Sequence, residues 1–118
     1  MMATITKRFL SDSVNGRGVL ISQTATAGND IHTATGDAGD FDEVWLWASN
    51  TSSSAVKLTI EFGGVTDAND LLVVTVAAES TELVIPGLII AGGLDVAAFA
   101  GTTNVITVFG YVNRLDYS

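Results

Sequence analysis

The 118 residues contain no cysteine, one proline (Pro86), one histidine (His32) and five basic side chains. Each scarcity removes a class of chemistry. Without cysteine there is no disulfide, no thiolate metal site and no thiol nucleophile, so the fold must hold by packing. His32 has no spaced partner and no H-E-x-x-H around it, and its short apolar context predicts a structural or surface role rather than a general base. No G-x-S-x-G elbow surrounds any serine, and there is no P-loop. Gly16-Arg17-Gly18 supplies only the first half of a dinucleotide fingerprint, without a strand before it. No apolar run approaches the roughly 18 residues of a membrane span, and MMATITKRFLSDS lacks the apolar core of a signal peptide. A chain that neither spans a membrane nor is exported by that route is expected. Charged residues make up 15% of the chain, against about 25% in an ordinary soluble domain.

What is present reads as all-β. Val, Ile and Thr together supply 35 of the 118 residues, and these β-branched side chains suit a pleated surface. The straight-chain residues that fill helix exteriors are sparse. Twelve glycines and many Asn, Asp, Ser and Thr residues provide turns. Candidate strands fall at 18–26, 30–34, 42–49, 55–62, 70–77, 81–85, 94–100 and 104–113, with Pro86-Gly87 among the turns between them. Eight short strands and no intervening helical pattern predict a single two-sheet β-sandwich, jelly-roll-like, over residues 18–118. Residues 1–17 have no clean period and read as an N-terminal arm, with a short amphipathic helix conceivable over 6–13.

Charge divides the same way. Net charge is −8, yet Lys7, Arg8 and Arg17 against Asp12 make the first 17 residues positive, while the remainder is strongly acidic. An acidic body repels phosphate, so nucleic acid is not an expected partner. A basic arm on an acidic body suggests docking on an acidic partner surface.

The strand faces locate the excess of apolar residues. Over 55–62, Val56, Leu58, Ile60 and Phe62 alternate with Lys57, Thr59 and Glu61, which predicts one wet face. Over 42–49, Val44, Leu46 and Ala48 share one face and Trp45 and Trp47 the other. Over 104–113, Ile106, Val108 and Val112 oppose Val105, Phe109 and Tyr111. Both of these strands are apolar on both sides, so something must cover the second face: the arm, the opposite sheet of a differently assigned core, or neighbouring subunits. Enrichment of aromatics in interface cores favours the subunits, with Trp45, Trp47, Phe109 and Tyr111 at the contact. Two indoles at alternate positions also suit a carbohydrate-stacking platform. The carboxylates of 37–43 and 67–70 read as turn and capping groups, with calcium as the alternative that oxygen-rich loops allow.

With these residues laid out, MATITKRFLSDSVNGRG, DEVWLWASNTSSSAVKLTIEFGG and GYVNRL resemble the small structural proteins encoded in the head-gene region of tailed bacteriophages. The resemblance implies a non-enzymatic virion component of capsid decoration (cement) type, located at the capsid surface. It implies assembly with itself, as a trimer, and with the major capsid protein, and no cofactor or metal. In that setting Lys7, Arg8, Phe9 and Arg17 are the capsid-contacting arm residues, and Arg17 and Arg114 are candidates for interface ion pairs. A carbohydrate-binding or host-adhesion module of a fibre or tail is the alternative.

Overall fold

The computed structural model describes residues 3–117. These contain nine strands and no helix: β1 (Thr4–Phe9), β2 (Val19–Ile21), β3 (Asn29–Thr33), β4 (Phe41–Asn50), β5 (Val56–Phe62), β6 (Leu71–Val76), β7 (Ser80–Ile90), β8 (Asp95–Ala100) and β9 (Ile106–Asp116). Among the described residues no helix is long and apolar enough to cross a membrane.

The strands form two antiparallel sheets. One runs β1-β9-β4-β7 with β2 also paired to β9, and the other runs β3-β8-β5-β6. Leaving β1 aside, every connection crosses between sheets except the β5–β6 hairpin, which is the double Greek key of a jelly roll. The expected all-β sandwich is therefore the observed fold. Its core lies between the sheets and takes the inward set of each strand: Val44, Leu46 and Ala48 from β4, Leu58 and Ile60 from β5, Val108 and Val112 from β9. Each large apolar side chain so buried contributes about 1.5–3 kcal/mol.

Four local features depart from the sequence reading. Residues 4–9, expected within an arm and open to a helical turn, pair with β9 from Thr4↔Asp116 to Phe9↔Tyr111. The alternation in this segment is weak because all six side chains are exposed, and backbone pairing rather than burial places the strand. Pro86-Gly87 does not end a strand: β7 runs through it, and the register against β4 skips Gly87 between Leu88↔Val44 and Pro86↔Trp45. The proline is tolerated because β7 is an edge strand, and the extra residue is a bulge with Gly87 at φ +83°.

The predicted wet face of β5 is wet only at Lys57, which is exposed. Thr59 and Glu61 are buried, and the segment carrying Thr26 and Gly28 crosses the outside of the second sheet at Glu61. Glu61 accepts hydrogen bonds from the Gly28 amide at 2.7 Å and from the Thr26 hydroxyl, which satisfies both carboxylate oxygens. Gly28 rests on the Ala98 backbone with no room for a Cβ. Lastly, the segment from Leu10 to Gly18 closes the side of the sandwich between β9 and β3. Leu10 is buried in the core, and the Asp12 amide donates to the Ile31 carbonyl at 3.1 Å.

Candidate functional site

The outward face of the first sheet gathers the aromatic residues singled out above. Because β4 alternates strictly between buried and half-buried, Phe41, Glu43, Trp45, Trp47 and Ser49 all point away from the core. Antiparallel register places Trp45 opposite Tyr111 and Trp47 opposite Phe109. Direct partners share a face, so all four predicted interface aromatics come together. Trp47 and Tyr111, diagonal neighbours, stack with ring centroids 6.2 Å apart and an interplanar angle of 26°.

The apolar face extends to both edges of the sheet. On β7, Leu83 pairs with Trp47 and is 47% exposed, and Ile89 pairs with Glu43 and is 58% exposed. On β1, Phe9 pairs with Tyr111 and is 62% exposed, and the Lys7 ammonium lies 4.8 Å from the Tyr111 ring centroid. Phe109 is 40% exposed. Gly87 lets the Trp45 indole lie flat on the sheet, since a Cβ there would sit 2.9 Å from the ring. Gly110 does the same for the backbone, where any Cβ would collide with the Trp45 carbonyl oxygen. Sequence alternation identified the aromatic members; Leu83 and Ile89 were hidden because the bulges in β7 break its period.

One polar network borders the aromatic cluster. Glu43 accepts from the Trp45 indole at 2.6 Å and from the Asn113 amide at 3.1 Å. These hydrogen bonds hold its carboxyl below the ordinary range, against a small opposing effect of burial. The hydrogen bond to the Glu43 carboxylate thereby fixes the orientation of the Trp45 indole.

Under the same sheet lies the only salt-bridged cluster among the described residues. Asp42, fully buried, accepts from Arg114 Nε at 2.7 Å and Nη2 at 2.9 Å, from His32 Nε2 at 2.7 Å and from the Thr35 amide at 3.2 Å. Burial pushes the Asp42 carboxyl up, but the hydrogen bonds from Arg114 and His32 and the charge of Arg114 together outweigh it and hold the pKa below the usual value. Arg114, expected at a subunit interface, is committed inside its own chain, and the carboxylate beside it raises its pKa further.

His32 is the clasp of this cluster. Its Nδ1 lies 3.0 Å from both the amide nitrogen and the hydroxyl of Ser11. An amide only donates, so Nδ1 accepts and the proton sits on Nε2, facing Asp42. Ser11, His32 and Asp42 thus have the outline of a hydrolase relay, yet the one lone pair of Nδ1 is already engaged by the Ser11 amide. The Ser11 hydroxyl in turn accepts from the Thr33 amide at 3.0 Å. What the arrangement does is tie the Leu10–Gly18 segment to β3.

The predicted arm residues fall on and beside β1. Lys7 and Phe9 point outward with Tyr111, Arg8 occupies the opposite parity, and Arg17 is exposed in the turn that follows. The acidic loops hold turns together: Asp40 accepts from the Tyr117 amide at 2.9 Å and Asp70 from the Thr66 amide at 3.1 Å. No group of three or more ligating side chains is placed to hold a metal ion among the described residues. No protein-family model, curated protein or solved structure matches the chain significantly, and none of the three comparisons points to a virion family.

Proposed function

We infer that the protein is a non-enzymatic assembly module whose first sheet packs its aromatic outer face against neighbouring subunits, and that it decorates and stabilises a tailed-phage capsid as a trimer. The observation that carries the reading is the contiguous apolar face of Trp45, Trp47, Phe109 and Tyr111, extended by Phe9, Leu83 and Ile89. A monomeric protein rarely leaves such a patch in water. The jelly roll adds support by analogy of fold, since virus shells use it, and so do lectins. The phage setting rests on the resemblance of MATITKRFLSDSVNGRG, DEVWLWASNTSSSAVKLTIEFGG and GYVNRL to head-region structural proteins.

Quantifying this chain in purified particles tests the reading. A copy number near that of the major capsid protein is expected. A few copies per particle would move the protein to a fibre or tail, and complete absence from particles would overturn the virion reading.

A second reading has its own observation. The stacked Trp47–Tyr111 pair beside a Glu43–Asn113 hydrogen bond combines an aromatic platform with polar groups at its rim, the layout that binds a sugar ring. Glycan titration followed by tryptophan fluorescence separates the two: saturable quenching by a sugar, with no change of mass, favours the adhesion module.

A further inference from the structure

A groove of about 940 Å³ runs along β1 and the segment after it. Three of the five cations of the chain, Lys7, Arg8 and Arg114, line it together with the hydroxyl-bearing Thr6, Ser11 and Ser13, and no carboxylate does. In a chain with thirteen carboxylates this is a separation of charge. Asp42 occupies Arg114, whereas Lys7 and Arg8 form no salt bridge among the described residues.

The backbone beside these cations is also open. β1 pairs with β9 along one side only, and no main-chain hydrogen bond is made along its other side among the described residues. An unpaired edge presents a row of N–H and C=O groups to any extended chain. A strand added there would place alternate side chains beside Lys7 on one face and Arg8 on the other, with the exposed Phe9 ring at its end. Main-chain pairing favours a polypeptide over a glycan or a polyphosphate, neither of which offers a row of alternating N–H and C=O groups.

We propose that β1 and its groove bind an extended acidic polypeptide segment by strand addition, with Lys7 and Arg8 reading its carboxylates. This builds on the placing of Lys7, Arg8 and Phe9 at the capsid contact and names the chemistry of that contact. The test needs only purified protein and synthetic ligands, so its outcome is separable from the particle measurement.

The full chain is titrated with a blocked hexapeptide of Val-Glu-Glu repeats, whose carboxylates fall on both faces of an added strand, with its Val-Gln-Gln counterpart, and with polygalacturonate. The acidic peptide should bind saturably and protect main-chain amides of residues 4–9 from hydrogen exchange. The Gln peptide should bind about tenfold more weakly or worse. The K7E/R8E double variant should lose at least about tenfold in affinity while its melting temperature stays unchanged, and K7R/R8K should retain binding. Three results would overturn the proposal: no binding of the acidic peptide, equal binding of both peptides, or polygalacturonate binding as tightly without protection of the β1 amides.

Discussion

Asp42 brings together side chains that lie far apart in the chain, with His32 ten residues before it and Arg114 seventy-two after. No local pattern announces that grouping, because a buried ion cluster is assembled by sheet register rather than by spacing. Its energetics depend on pH with a definite sign. The Asp42 pKa is lowered in the folded state, so its contribution is complete above the unfolded value of about 3.9 and is lost as pH falls through the folded value. An Asp42→Asn variant leaves Arg114 and His32 facing a neutral amide and should be less stable by about 3 kcal/mol at pH 7. Urea denaturation at pH 7 and pH 3 checks this, and the gap between wild type and variant should narrow in acid. Trp45 and Trp47, by contrast, were legible from sequence, since positions two apart on a strand share a face.

Strand by strand, legibility followed local period. β4 announced itself by strict alternation, and each of the eight sequence-expected strands has a counterpart in the sandwich. β5 had the right period and an exterior rightly judged wet at Lys57, but Thr26 and Gly28 arrive from outside its own segment to cap Glu61. β7 was truncated at Pro86 because a proline-glycine pair signals a turn unless an edge strand can absorb it as a bulge. That bulge makes a prediction: Gly87→Ala forces an L-residue to φ +83° against the Trp45 ring. A loss of about 1–3 kcal/mol in chemical denaturation is expected, with Trp fluorescence altered in the native state. β1 makes another. Its six side chains are all exposed, so it gains little from burial, and its amides should exchange with solvent well before those of β4. Equal protection of the two strands in native-state hydrogen exchange would show that β1 is held by more than the backbone pairing to β9.

At the level of the whole molecule, the sandwich spends its apolar residues twice, once between the sheets and once on the outside of the first. The second use predicts association. Sedimentation of the wild-type chain at micromolar concentration should show an oligomer, and Leu83→Glu combined with Phe109→Glu should shift it to monomer. Both positions are well exposed, so the monomeric variant should keep the wild-type melting temperature to within a few degrees. A monomeric wild type would remove the interface reading while leaving the sugar platform open.

The antiparallel pairing of β1 with β9 also has a mechanical side. Thr4 lies directly opposite Asp116, and the hydrogen bonds between antiparallel strands run perpendicular to the chain. Tension applied across these two residues therefore loads one pair at a time, like a zipper opened from its end. Peeling would stop at Leu10, where the buried side chain and the His32 clasp resist together. That slack lets β1 peel and re-form while the sandwich behind it stays shut.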